Sequence, residues 1–146
     1  DWPAGSSKKK RKVSVKIDDW DSYSAYHTLA LIIYPLLLEF KEKLITHPGV
    51  PSALMEDDDH VKGKNKWDEI IDKMIYSMKE IAEDNPDENQ FFKENGKKFE
   101  TKENEDGSHE VIETGFDFDK DGYEEYHNRV QEGLELFGKY FQNLWW

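Results

Sequence analysis

Residues 66–86, KWDEIIDKMIYSMKEIAEDNP, constrain the fold most. Apolar side chains at Trp67, Ile70, Ile71, Met74, Ile75, Met78, Ile81 and Ala82 recur with the 3.6-residue spacing of an amphipathic helix, and Asn85-Pro86 ends the repeat. A stripe of this width has to be covered by other elements, and the chain offers two more helices. After Asp21, a candidate N-cap, SYSAYHTLALIIYPLLLEFKEKLI is apolar almost all round at its centre, so it is expected to be the central helix of the core. Pro35 inside it removes a backbone donor at a cost of about 3 kcal/mol and predicts a kink or a short break. Near the end of the chain, YEEYHNRVQEGLELFGKYFQNLWW lines up Tyr123, Tyr126, Val130, Leu134, Phe137, Phe141 and Leu144 on one helical stripe.

The remaining segments are punctuated differently. THPGVPSALMEDDDHVKGKNK, with its prolines, glycines and charge run, reads as a long loop between the first two helices. KKFETKENEDGSHEVIET has a turn signal at Asp106-Gly107 between two short runs and predicts a β-hairpin. The alternation Val13, Val15, Ile17 has a strand's period and could add a third strand to it. The fold class expected is therefore mainly α, a three-helix core with a small peripheral β-hairpin or three-stranded sheet. Residues 1–12 form a disordered basic lead, and 13–146 a single mostly helical domain. Trp20, Trp67 and Trp145 are expected to converge on the core, each burying a large apolar area.

Composition narrows what such a domain can do. The 146 residues suit one domain, and 5 Trp, 7 Tyr and 8 Phe are far too many rings for a disordered chain. Cysteine is absent, which excludes disulfides, thiolate metal sites and cysteine nucleophiles. The longest apolar run, TLALIIYPLLLEF, falls short of the roughly 20 residues that span a membrane, so no membrane partner is expected. No secretory leader is read at the start. The net charge of -12 conceals a basic arm, Lys8, Lys9, Lys10, Arg11 and Lys12, ahead of a still more acidic body. Because nucleic-acid affinity rests on Lys and Arg displacing counterions, any such contact falls to that arm, whose composition also matches a nuclear-import signal or a solubilising chain end.

Three arrangements of acidic or histidine side chains bear on chemistry. DFDKDGYEEYHN, residues 117–128, places Asp117, Asp119, Asp121 and Gly122 as in a calcium loop, but the closing position is Asn128 where a bidentate Glu is needed, and Glu124 stands where an apolar residue is usual. A helix cap by Asp119 or Asp121, the latter with Glu124 as a capping-box pair, accounts for the same residues and is preferred. Glu39 and Glu42 on the first long helix, with Glu69 and Asp72 on the second, form E-x-x-E and E-x-x-D pairs that resemble the magnesium signature of all-α nucleoside triphosphate pyrophosphatases of the MazG and dimeric dUTPase type. Exposed helix charge is the simpler account. His27, His47, His60, His109 and His127 have no metal-ligand spacing, His27 reads as a helix-surface or capping residue, and no glycine-rich phosphate loop is present.

Three strings occur together: KVSVKIDDWDSYSAYHTLALIIYPLLLEFKE, WDEIIDKMIYSM and NRVQEGLELFGKYFQNLWW. They resemble a family of small tailed-bacteriophage proteins with a WD-x-x-S-x-x-HTLA-x-I-x-x-P-x-L opening and an LFGKY-x-x-x-LW ending. No activity attaches to that family, so no functional residues carry over. The resemblance implies a viral origin and the bacterial host cytoplasm, or the virion, as location. Within it, the expected function is that of a non-enzymatic accessory protein that binds a host or phage protein, its acidic surface suited to basic partners and to nucleic-acid mimicry. A virion structural component and the magnesium-dependent pyrophosphatase are the alternatives, and no cofactor is expected. Trp145 is expected in the core, whereas Trp146 lies off the stripe as an anchor for a partner or for a homodimer.

Overall fold

The computed structural model describes residues 14–56 and 59–146, with the side chains of 93–98 and 113–117 left aside. It is mainly helical, with one small antiparallel sheet. The basic lead of residues 1–12 and Val13 lie outside the described residues.

A short helix, α1 (Asp19–Tyr23), is closed by a capping box: Asp18 accepts from the backbone N–H of Trp20 and Asp21, and Asp21 accepts in return from that of Asp18. The cap is thus one turn earlier than expected, with Asp21 as its N3 residue, and Ser24 starts a separate helix. That helix, α2 (Ala25–Thr46), runs unbroken through Pro35. Of the expected kink or short break, the break does not form: Ala30 before the proline and Leu37, Phe40 and Leu44 after it are buried in one core, which ties the two halves together.

The long loop expected between the first two helices is largely taken up, among the described residues, by helical turns. After a 3₁₀ turn at Ser52–Leu54, α3 (His60–Ala82) begins six residues before the amphipathic repeat, because Asp59 accepts from the N–H groups of Val61 and Lys62 at 3.1 Å each. Gly63 makes this overlap feasible: a Cβ there would stand 3.2 Å from the Leu54 carbonyl oxygen and 3.3 Å from Val50. Asp84 and Asn85 then take left-handed conformations and end α3 as Asn85-Pro86 predicts.

β1 (Phe92–Glu103) and β2 (His109–Phe118) form the hairpin, longer than anticipated, with Gly107 at φ +79° in its turn. Asp106 accepts from the Ser108 N–H and hydroxyl, which holds its carboxyl below the usual range. Residues 14–18 join no sheet, and Val15 and Ile17 are exposed, so the third strand does not form. Asp119 starts α4 (Lys120–Lys139) by accepting from the Gly122 N–H at 3.0 Å.

The central helix is α3, not α2. It packs against both α2 and α4, which scarcely touch each other. Trp67 is the hub, 1% exposed and edge-on to Phe40 of α2 and to Tyr140 just beyond α4. The two seams differ in kind. Toward α2 it is made of Leu37, Phe40, Leu44, Trp67, Ile71 and Met74. Toward α4 it is tight and partly polar: a Cβ on Gly133 would meet the Ser77 hydroxyl at 1.9 Å, and that hydroxyl donates to the Val130 carbonyl at 2.7 Å.

Candidate interaction surface

The two sides of α2 are unlike in burial but alike in chemistry. Ala30, Leu37, Phe40 and Leu44 face the core, while Leu29, Leu31, Ile32, Leu36 and Leu38 stand in solvent, each between 44 and 62% exposed. Helical spacing sorts the exposed side chains into two rows, Leu29, Ile32 and Leu36 in one and Leu31, Pro35 and Leu38 in the other. No Asp, Glu, Lys or Arg occurs from Ser22 to Leu38. Charge returns only at Glu39, which sits 3.7 Å from Lys43.

Trp20 and Tyr23 stand edge-on at 6.1 Å at the N-terminal end of this helix, 79 and 83% exposed, and Tyr26 is 68% exposed. With side-chain areas of about 150–250 Å² per ring, Trp20 and Tyr23 offer on the order of 300 Å², whereas Tyr26 continues the core-facing stripe of Ala30, Leu37 and Leu44. The five Leu and Ile side chains enlarge that surface beyond the ordinary largest apolar patch of a monomer, about 300–600 Å². The hairpin shows a smaller version: register places Phe99 and Val111 on one face with Thr101, and both are more than 60% exposed.

No protein-family model matches this chain, and no curated protein and no solved structure shows significant similarity to it.

The carboxylates of the alternative magnesium reading form no cluster of three or more among the described residues. Glu39 pairs with Lys43, Asp72 with Lys41 of α2, and Glu69 lies 3.5 Å from Lys73, while Glu42 is exposed. Among the described residues no group of three or more His, Asp or Glu is disposed to hold a metal ion. In the calcium-like stretch Asp119 is the helix cap, Asp121 lies in the first turn of α4, and Asp117 falls in β2 with its side chain outside the described set. The His27 ring, half-buried, brings Nε2 to 3.5 Å from Asp84 without a hydrogen bond.

Two of the three tryptophans expected in the core are elsewhere. Trp20 is exposed, and Trp145 is 67% exposed. The reason for Trp145 is that α4 stops at Lys139: a 3₁₀ turn over Phe141–Asn143 and an irregular end follow, so the helical stripe does not continue to it. Tyr140 takes the buried place, and Phe141 is exposed. Trp146 is 57% exposed, its ring 4.9 Å from that of His47 and with the Lys43 ammonium 5.7 Å from its centroid. Lys8, Lys9, Lys10, Arg11 and Lys12 lie outside the described residues.

A polar knot fixes α4 against the end of α3. Glu80, 1% exposed, accepts from the Tyr126 hydroxyl at 3.0 Å and from the Asp87 N–H at 3.2 Å, and Asn85 Oδ1 is 3.3 Å from the same hydroxyl. Burial first, then the Glu80 carboxylate, pushes the Tyr126 phenol well above its ordinary range. Beside it the Arg129 guanidinium lies 3.7 Å over the Tyr76 ring, along a cavity of about 170 Å³. These contacts account for the ionisable groups as structure. The surface that structure leaves unexplained is the outer side of α2. Its signal is present in the sequence as hydrophobicity all round one helix, a pattern that by itself points to a central position.

Proposed function

We propose that this chain is a phage-encoded accessory protein that acts by associating with other proteins, and that the outer side of α2 is the contact surface. The observation that carries this reading is the charge-free apolar face from Leu29 to Leu38 on a chain whose net charge is -12. A protein with so many solvated carboxylates is kept soluble by charge, and a face stripped of it gains by being covered. The phage resemblance supports the setting, a bacterial host cytoplasm, and the acidic remainder is suited to a basic host or phage partner. A lipid surface fits poorly, since anionic headgroups repel a body of this charge, and no helix among the described residues is long and apolar enough to cross a membrane.

The test is native mass spectrometry of the tagged chain recovered from phage-infected bacteria, beside an Ile32→Lys/Leu36→Lys variant. The wild type is expected in a defined complex, with another protein or with further copies, and the variant as a lone chain. A wild type that is also a lone chain would remove the reading.

A further inference from the structure

We infer that the occupant of the α2 face is a second copy of this chain, with the two α2 helices packed antiparallel. The inference rests on the reading of that face as a contact surface and names its partner. Four observations converge on it.

The first is the absence of charge. A partner recognised by ion pairs would find no complement between Ser22 and Leu38. A second copy, by contrast, carries the same excess of negative charge and can approach only where neither surface bears any. An uncharged face is therefore where two such chains meet with least repulsion.

The second is shape. The rows Leu29, Ile32, Leu36 and Leu31, Pro35, Leu38 each alternate steps of three and four residues, the spacing of an a/d seam, and identical helices can pack such a seam about a two-fold axis. The third is polarity of the helix. Glu39 and Glu42 close the C-terminal end of the face. Parallel packing would set Glu42 beside the same acid of the partner copy, whereas antiparallel packing sets Glu39, which keeps Lys43 of its own helix as counter-charge, over the uncharged first turn of α2 around Tyr26. The fourth is area: the exposed side chains of α2, with Trp20 and Tyr23 at its end, approach the 800 Å² or so per partner of a standard stable interface.

The antiparallel arrangement fixes which positions meet. A two-fold axis across the middle of the Leu29, Ile32, Leu36 row brings Ile32 near its own copy and Leu29 near Leu36 of the other. Two copies of Leu29 stay about seven residues apart along the helices, roughly 10 Å at 1.5 Å per residue. Since the chain has no cysteine, introduced thiols report this geometry without background.

The experiment uses the full chain. Sedimentation equilibrium of the purified protein is expected to give a dimer at micromolar concentration, and Ile32→Lys or Leu36→Lys to raise the dissociation constant at least a hundred-fold. Far-ultraviolet and near-ultraviolet circular dichroism should show the helices and the Trp67 environment of the variants unchanged. If a lysine variant does not fold, the thiol set decides. With diamide as oxidant, which takes two electrons and two protons from a pair of thiols and becomes the hydrazine, Ile32→Cys alone and an equimolar mixture of Leu29→Cys with Leu36→Cys should form disulfide-linked dimers. Leu29→Cys alone should not, because a disulfide requires Cα atoms within about 7 Å. Self-cross-linking of Leu29→Cys, a dimer indifferent to both lysines, or a wild type that is monomeric up to 100-fold above micromolar concentration would each overturn the inference. A monomer in isolation that is nonetheless found in a hetero-complex in infected cells would overturn the second copy while leaving the contact surface in place.

Discussion

Helices α2 and α3 are nearly equal in length, and the more hydrophobic of the two is the less buried. Over most of its length α3 alternates charge with Trp67, Ile71, Met74 and Met78, and it lies in the middle of the molecule with neighbours on two sides. α2 is apolar for most of its circumference and has one long-helix neighbour. The difference teaches that position in a small bundle follows from how many faces the other elements can cover, not from the hydrophobicity of the helix itself. Three helices in a row leave the outer side of each end helix open. On α4 that side is filled with Glu124, Gln131 and Glu135; on α2 it is filled with leucine. Surplus hydrophobicity at an end position is the ground on which the proposed contact with a partner rests.

The largest expected effect breaks the comparison at its hub. Trp67→Ala should cost about 3–5 kcal/mol, enough to unfold much of a domain that holds only about 5–15 kcal/mol. Leu29→Ala on the outer face of α2 should change the stability of the isolated protomer by no more than about 0.5 kcal/mol. Urea titration of both variants checks the pair, and a large loss in Leu29→Ala under monomeric conditions would mean that the face is buried after all.

Next comes Gly133→Ala, which separates the two seams of α3. The added methyl meets the Ser77 hydroxyl at 1.9 Å and the Lys73 carbonyl oxygen at 2.3 Å, so α4 must move outward. A loss of about 1–3 kcal/mol is expected from overpacking, with the α2 seam untouched. Pairing it with Ser77→Gly should restore part of the loss, and a double variant no better than the single would argue against this contact as the cause.

The alkaline limb of stability belongs to the same seam. Tyr126 and Tyr76 both have phenols pushed up from the ordinary value of 10.0, chiefly by burial. A folded-state value above the unfolded one stabilises the protein fully below pH 10 and loses that contribution as pH rises beyond it. Stability should therefore fall above pH 10, and Tyr126→Phe should flatten the fall while costing about 1 kcal/mol at neutral pH. Melting curves recorded between pH 7 and about 11.5 test this, and an identical slope in the variant would move the cause elsewhere.

Smallest of all is the chain end. Trp145→Ala and Trp146→Ala should each shift stability by at most about 0.5 kcal/mol, since both rings are more than half exposed. The second should have the larger effect of the two, as Trp146 alone touches His47 and Lys43. Thermal melts showing Trp145→Ala to unfold the protein would restore the core position that the sequence suggested for it.

Much of the fold was legible because it depends on local rules. The stripe of α3, its stop at Asn85-Pro86 and the Asp106-Gly107 turn each follow from spacing or backbone chemistry a few residues long. The start of α3 was missed because Asp59 sits in an acidic run where a cap is indistinguishable from solvated charge. The fate of Trp145 was missed because a helical wheel has no end of its own, and here the helix stops at Lys139. The exposure of α2 could not be read at all from α2, since it follows from where the other described elements lie, and among them none covers that side. For the same reason the sequence shows Glu39 with Glu42 and Glu69 with Asp72 as two pairs, which leaves one constellation open beside the preferred exposed charge, but not the directions in which they point.

The hairpin has a consequence for how quickly the molecule assembles. Helices α3 and α4 cross through contacts such as Ser77 with Val130, far apart along the chain, and the strands between them end in the Phe92–Phe118 rung and an Asp119 N–H to Phe91 carbonyl bond of 3.1 Å. Zipping from Gly107 inward would deliver the two helices side by side before they touch, replacing one long loop closure by a short one. On a logarithmic dependence of closure entropy on loop length this lowers the barrier by about 1 kcal/mol, roughly a five-fold gain in rate. Gly107→Val, which strains the turn at φ +79°, should accordingly slow refolding several-fold in stopped-flow experiments while changing the unfolding rate little. If unfolding alone accelerated, the hairpin would be an ornament of the finished structure and not a guide to it.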